Sequence, residues 1–409
     1  MTTTLGCRSC GSTNLLPIVS FGDTPLADRL LTEDLLDKPE LLANLELVFC
    51  PDCTLVQITE SVSPDILFGE DYPYFSSVSP VLLAHFRGSA LDIIERRGLD
   101  SSSWVVEAAS NDGYMLKNFM ERGITVLGID PAAPPAKAAQ AAGVPTLMTY
   151  FTVDLARQLV AERGRRADVF LANNVLAHVP DLNGFVEGIR TLLAEDGVAV
   201  IEVPYLIDLI DHREFDTIYH QHLCYFSVTA LDNLFRRHNL YLDDVKRLQI
   251  HGGSLRLFVE QREAVSETVQ SLLRMEKDRQ TDHYAYYTNF ADSINRFRDE
   301  LMALLGKLKS EGKTIVGYGA AAKATTMLAY TGIDLRQLDY VVDLNPFKQG
   351  RFMPGTHLPI HAPQRLLEDK PDFVLVLAWN FADEIIAQQD MYRKSGGQFI
   401  VPLPKLTVV

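Results

Sequence analysis

Residues 103–123 read SWVVEAASNDGYMLKNFMERG. WVVEA is an apolar run ending near Glu107, ASNDG is a turn of small and polar residues, and YMLKNFMER carries apolar residues at helical spacing. A strand, a tight loop and a helix in that order form a nucleotide-binding unit of a parallel α/β sheet. The next strand, ITVLGIDPAA, ends on Asp130 and Pro131, about twenty residues after the loop, where a carboxylate can receive two ribose hydroxyls. A third, ADVFLANNVLAHV, ends at Asn173, Asn174 and His178. A fourth, GVAVIEVPY, completes a doubly wound parallel sheet.

The loop chemistry narrows the ligand. A dinucleotide needs G-x-G-x-x-G so that backbone can approach a pyrophosphate, but E-A-A-S-N-D-G has a single glycine. S-adenosylmethionine has no phosphate; its sulfonium and amino-acid tail suit Glu107, Asn111, Asp112 and the loop amides. The alternative is an α/β sheet with incidental acids at its strand ends.

At 409 residues the chain exceeds one ordinary core. Its 47% hydrophobic and 22% charged residues are those of a folded globular protein. Three parts are expected: a zinc-binding module over 1–70, the cofactor-binding sheet over 71–245, and a further α/β domain over 246–409. A net charge of -15 with no basic patch argues against nucleic acid. Neither a signal peptide nor a membrane-spanning apolar run of about twenty residues is visible, so a soluble cytoplasmic protein is expected.

Cys7 with Cys10, and Cys50 with Cys53, form two C-x-x-C pairs. Two residues between thiols point both sulfurs at one cation, and two such knuckles supply the closed four-thiolate set of structural zinc. Disulfides across so short a loop are strained, and a redox pair is the remaining alternative.

FDTIYHQHLCYFS brings Tyr219, His220, Gln221 and His222 together. Three titratable rings in four residues are uncommon, and histidine and tyrosine suit the tasks of a base and of a hydrogen-bond donor. An imidazole is largely unprotonated at neutral pH, so His222 is the expected base. Tyr219 is the donor or proton path, and His178 positions the substrate. A satisfied polar turn is the bland alternative.

Farther on, GKTIVGYGAAAKATTMLAY is a second strand, turn and helix. Gly317 and Gly319 allow close backbone approach, and Lys323 adds charge at the helix start. A nucleoside diphosphate or a nicotinamide dinucleotide both suit such a loop, although Ala322 replaces the third glycine.

The two cysteine knuckles, FGDTPLADRL between them, the E-A-A-S-N-D-G loop, N-N-V-L-A-H-V, Y-H-Q-H and G-Y-G-A-A-A-K together resemble the sugar C-methyltransferases of antibiotic deoxysugar pathways. The resemblance covers nearly the whole chain. It implies a zinc-binding N-terminal domain, a central methyltransferase domain and a C-terminal Rossmann-like domain that helps hold a thymidine diphosphate (dTDP) keto-deoxysugar. Residues matching Tyr219, His222 and His178 line the reaction site. Tyr72, Tyr74 and Ser79 form a lid, with Tyr72 and Ser79 toward the cofactor and Tyr74 toward the sugar; ordinary interdomain packing is the alternative for the tyrosines. His220, Lys323, Asn345 and Asn380 are placed with the sugar nucleotide. The family often has Tyr-His-Glu-His, so Gln221 departs from it: an amide oxygen can accept a hydrogen bond but cannot hold a proton. The expected activity is methyl transfer from S-adenosylmethionine to C3 of a dTDP-linked 4-keto-6-deoxy sugar. A ketoreductase using NADPH, alone or as a second activity, and a zinc scaffold without catalysis are the competing readings. Monomer and dimer both remain open.

Overall fold

A computed structural model describes residues 2–3, 6–67, 76–78 and 80–409. Tyr72, Tyr74 and Ser79, expected to form a lid, fall outside the described residues.

Trp104–Ala108 is buried along its whole length, as expected of a parallel strand covered on both faces. It lies inside a seven-stranded sheet ordered Tyr241–Leu248, Ser254–Glu260, Leu193–Pro204, Ala167–Asn173, Trp104–Ala108, Thr125–Ile129, Thr146–Leu147. The last five run parallel, while Ser254–Glu260 is antiparallel to both of its neighbours. From Trp104–Ala108 the chain moves outward to one edge and then crosses back to Ala167–Asn173, so the strand order reverses between these two. In open α/β sheets ligands bind at that reversal, beyond the carboxyl ends of the strands. Glu107 and Asn173 stand there. The sheet continues to Glu260, beyond the boundary expected at 245.

The N-terminal part is a sheet of Leu16–Pro25, Leu42–Phe49 and Val56–Ile58, antiparallel throughout. Its fourth strand, Cys224–Tyr225, comes from the central part and pairs with Val56 and Gln57. The C-terminal sheet is ordered Ile360–His361, Val341–Val342, Ile315–Tyr318, Phe373–Val376, Gln398–Val401, Thr407–Val408. It is parallel except for the final pair, and its order reverses beside Ile315–Tyr318.

The helical stretch expected from Glu267 to Ser310 is two helices, Glu267–Asp278 and Phe290–Ser310. Gln280, at φ 57°, breaks the first. Phe290, Ile294, Phe297, Leu301, Leu305 and Leu308 form the buried stripe of the second, at the three- and four-residue spacing of an amphipathic helix. Glu276 of the first helix is fully buried and accepts hydrogen bonds from Tyr205 Oη, the Val228 and Thr229 amides and Thr229 Oγ1. It therefore closes the N-terminus of helix Val228–Arg237 and ties the linker to the central sheet. The largest apolar core runs unbroken from Cys7 to Leu403, so the three parts share one interior. Among the described residues no helix is long and apolar enough to cross a membrane.

Candidate active site

The loop after Trp104–Ala108 turns sharply. Ala109 and Asn111 take left-handed φ values of 54° and 49°, a conformation that costs roughly 1–2 kcal/mol for an ordinary residue. Two anchors hold it. The Asn111 amide donates to Asp130 Oδ2 at 2.8 Å, and the Asn111 side-chain oxygen accepts from the Ser76 amide at 2.9 Å. Asp112 Oδ2 in turn accepts from the amide and hydroxyl of Ser77. Gly113, at φ 77°, lies so close to Val144 that a Cβ would stand 2.7 Å from its Cγ2.

Asp130 Oδ1 accepts the Ala132 amide at 2.8 Å, because Pro131 between them has no N–H. Both oxygens of this acid thus brace the loop and the following turn, leaving only their remaining lone pairs for a ribose. Burial raises its pKa against those two amides.

Glu107 is fully buried. Its Oε1 accepts from Asn173 Nδ2 at 3.1 Å, while Glu107 Oε2 and Asn173 Oδ1 have no hydrogen-bond partner among the described residues. Burial drives the Glu107 carboxyl well above its usual range; Asn173 opposes this, and the charges of Asp130 and Asp112 add to it. Two buried acceptors without a partner among the described residues, at the strand reversal and near the acids Asp130 and Asp112, fit a ligand that brings a cationic N–H donor, such as the ammonium of S-adenosylmethionine.

Farther along the chain the His222 amide donates to the Tyr219 carbonyl at 2.8 Å. That turn places the rings of Tyr219 and His222 side by side, with centroids 4.1 Å apart. His222 Nδ1 lies 2.8 Å from the Thr217 carbonyl, which can only accept, so the proton resides on Nδ1. Nε2 then offers its lone pair to the Tyr219 hydroxyl, 3.0 Å away. His178 meets the His222 ring edge to face at 4.8 Å. Burial pushes His178 down to about 4, opposed by the carbonyls of Gln221 and Asn174, so this ring is neutral at physiological pH. The structure therefore brings Tyr219, His222 and His178 together, with Tyr225 as a further wall 6.3 Å from His222.

The same turn sends His220 the other way. Its Nε2 sits 3.2 Å from both the Ala43 and Asn44 carbonyls of the N-terminal sheet, so its ring faces that sheet rather than the substrate side where it was expected. Gln221 is buried, and its side-chain nitrogen has no partner among the described residues. Asn174, at φ 54°, donates its amide to the Glu202 carbonyl at 2.9 Å.

Glu202 was missed in the sequence. It pairs across the sheet with Arg256 and holds Arg256 Nε at 2.6 Å and His85 Nε2 at 2.9 Å. Burial alone would raise the Glu202 pKa, but His85 and Arg256 bring it below its ordinary value. A charged residue within each of the apolar strands GVAVIEVPY and SLRLFVE was the available signal.

In the C-terminal domain, packing accounts for both glycines. A Cβ on Gly319 would stand 2.6 Å from that of Ala378, and one on Gly317 would meet Leu377 and Val341 at 3.0 Å. Asp343 receives the Ala320 amide at 2.7 Å and the Asn345 amide at 2.8 Å, repeating the bracing geometry of Asp130. Lys348 reaches the Ala320 carbonyl at 2.7 Å and Asp28 of the N-terminal part at 3.3 Å. Lys323, Asn345 and Asn380 all stand at carboxyl ends of strands, as expected. Lys323 Nζ, however, lies 4.1 Å from the Trp379 ring centre. Burial lowers its pKa while Asp216 and Glu214 oppose that. Trp379 Nε1 donates to Asp216 Oδ2 at 2.7 Å. Lys323 thus stands against Trp379 and near two acids that precede it in the chain by more than a hundred residues.

The sulfurs of Cys7, Cys10, Cys50 and Cys53 lie within 4.8 Å of one another, with Cys7 and Cys53 at 3.4 Å and Cys10 and Cys50 at 3.6 Å. Zinc–sulfur bonds of about 2.3 Å in a tetrahedron separate sulfurs by roughly 3.8 Å. Burial, with the Cys53 charge adding, raises the Cys50 thiol to about 11; a dication reverses that penalty by holding thiolates. The donor set fits structural zinc.

Residues 7–68 match a zinc binding domain, residues 83–245 a methyltransferase domain, and residues 249–404 the C-methyltransferase C-terminal domain. C-methyltransferase NovU of Streptomyces niveus is 36% identical over 406 residues, covering 98% of this chain and 96% of NovU. The chain belongs to this C-methyltransferase family. Among solved structures, the 1,6-didemethyltoxoflavin-N1-methyltransferase of Burkholderia thailandensis with S-adenosylhomocysteine is 18% identical, covering 53% of this chain and 96% of its own, at a TM-score of 0.38. Magnesium protoporphyrin IX methyltransferase of Synechocystis PCC 6803 is 13% identical, covering 45% and 89%, at 0.36. These two are distant likenesses. As a C-methyltransferase, the enzyme uses S-adenosylmethionine and carries a four-cysteine zinc module.

Proposed function

We propose that this C-methyltransferase acts on a dTDP-linked 4-keto-6-deoxy sugar and methylates C3, beside the ketone. The observation that carries the reading is the Thr217, His222 and Tyr219 relay: an imidazole with Nδ1–H held by the Thr217 carbonyl and Nε2 facing the Tyr219 hydroxyl. S-adenosylmethionine supplies an electrophilic methyl group when bound, and Glu107, Asn173, Asn111 and Asp130 are the residues to hold it. The C3–H bond breaks as Tyr219 Oη takes the proton and passes its own to His222 Nε2. The ring becomes an imidazolium, its Nδ1–H still on the Thr217 carbonyl. The electron pair left on C3 is shared with the ketone oxygen and would then form the new carbon–carbon bond, while the methyl group's bond to sulfur breaks and its electron pair stays on the thioether that leaves. Neutral His178 lies where it can position the sugar. In this reading the nucleotide belongs to the C-terminal domain, where Asn345 and Asn380 stand at strand ends.

The test is incubation with methyl-labelled S-adenosylmethionine and a dTDP-4-keto-6-deoxy sugar. Label on C3 is expected. Label on C5 moves the site to the other side of the ketone, and label on oxygen or nitrogen defeats the reading.

A further inference from the structure

Tyr219 and His222 belong to a segment that all three parts of the chain grip. From the C-terminal domain, Thr326 Oγ1 donates to the Ile218 carbonyl at 2.8 Å and Trp379 holds Asp216. From the central domain, the Ala177 carbonyl, next to His178, accepts the Leu223 amide at 2.7 Å. From the N-terminal part, Ile58 donates its amide to the Leu223 carbonyl at 3.0 Å, Val56 and Gln57 pair with Tyr225 and Cys224, and the Ala43 and Asn44 carbonyls receive His220. Leu223 and His220 flank His222 and Gln221, so the N-terminal sheet fixes the backbone on both sides of the imidazole.

That sheet is in turn set by the cysteine knuckles. The buried Gln57 side chain accepts the Arg8 amide at 2.8 Å and donates to the Gly6 carbonyl at 3.3 Å. Arg8 also reaches the Ile58 and Glu60 carbonyls. In the second knuckle Cys50 donates its amide to the Leu55 carbonyl at 2.9 Å, one residue before strand Val56–Ile58 begins. Hydrogen bonds at Leu55, Gln57 and Ile58, linked by the strand that carries them, thus join the cysteine knuckles to the backbone beside His222.

We infer that the zinc module is a positioning device for the proton relay, and that His220 is its latch, a positioning residue rather than a substrate ligand. The inference rests on the proposed relay for its catalytic consequence. The cofactor pocket around Glu107 and Asn173 is built from other strands, so loosening the latch is expected to change turnover and leave cofactor binding intact.

The test compares His220→Phe with His220→Gln, whose amide nitrogen can reach the same carbonyls, in the full-length zinc-loaded chain. Kinetics use a dTDP-4-keto-6-deoxy sugar, calorimetry measures S-adenosylhomocysteine affinity, and 15N NMR reports the tautomer of His222. The phenylalanine variant is expected to lose about 10- to 100-fold in kcat, the scale of a 1 Å misplacement. It should keep its S-adenosylhomocysteine affinity and show mixed His222 tautomers, and the glutamine variant should recover most of the rate. Wild-type kcat with phenylalanine, or no recovery with glutamine, overturns the inference. If the phenylalanine variant does not fold, zinc removal by a chelator provides the same NMR readout, and a His222 ring that stays on Nδ1–H without zinc overturns it. His222→Asn in the same assay separates the two claims: full turnover there removes the relay, whereas the tautomer shift does not depend on which group is the base.

Discussion

Tyr219 Oη and His222 Nε2 face each other at 3.0 Å, with the other imidazole nitrogen on a backbone carbonyl. In the proposed relay, a proton collected at the phenol has a prepared acceptor. Tyr219→Phe removes the collector and His222→Asn the acceptor; each is expected to lower kcat by about 10²–10⁴-fold while S-adenosylhomocysteine affinity stays constant. Steady-state kinetics with calorimetry checks this, and turnover at the wild-type rate in either variant would exclude that residue from the proton path.

Glu107→Gln separates binding from folding. The buried carboxyl titrates above its unfolded value, so in the ligand-free protein its contribution to stability is greatest at low pH. It is lost as pH rises through the folded pKa. The amide escapes that penalty. Ligand-free Glu107→Gln is expected to melt above wild type at pH 8 and to gain little from added S-adenosylhomocysteine, which differential scanning calorimetry measures.

The neutral His178 ring predicts acid sensitivity. Its folded value of about 4 lies below the unfolded value of about 6.5. The unfolded chain therefore takes up a proton first as pH falls. Stability is complete above about pH 6.5 and declines toward pH 4, by up to about 3 kcal/mol. Urea unfolding across that range should show a shallower decline in His178→Asn, and an unaltered slope would assign the loss to other groups.

Glu276→Ala orphans four donors at once: the Tyr205 hydroxyl, two helix amides and the Thr229 hydroxyl. A cost on the order of 3 kcal/mol is expected, read as a lower denaturation midpoint. A change under about 0.5 kcal/mol, the ordinary scale for surface positions, would mean that water replaces the carboxylate.

The cysteine pairs and the strand ends at Glu107, Asp130 and Asn173 were legible because spacing and periodicity are local signals. Direction was not. His220 and His222 are two residues apart, yet the turn closed between Tyr219 and His222 points one ring into the N-terminal sheet and the other at the phenol. Lys323 looked like a phosphate ligand because it opens a helix after a glycine loop. Its counter-charges, Asp216 and Glu214, lie more than a hundred residues earlier in the chain. The Gly317 and Gly319 pattern fits tight strand packing as well as a ligand loop, and only the contacts with Ala378, Leu377 and Val341 separate the two.

Because Cys224–Tyr225 completes a sheet that begins at residue 16, the catalytic domain has no clean point of excision. A fragment trimmed to residues 83–245 would present an open strand edge to solvent, invite self-association and lack the Glu276 cap. Chimaeras that trade substrate range between relatives should therefore transplant residues 42–58 and 215–280 as one inheritance, or accept an insoluble product.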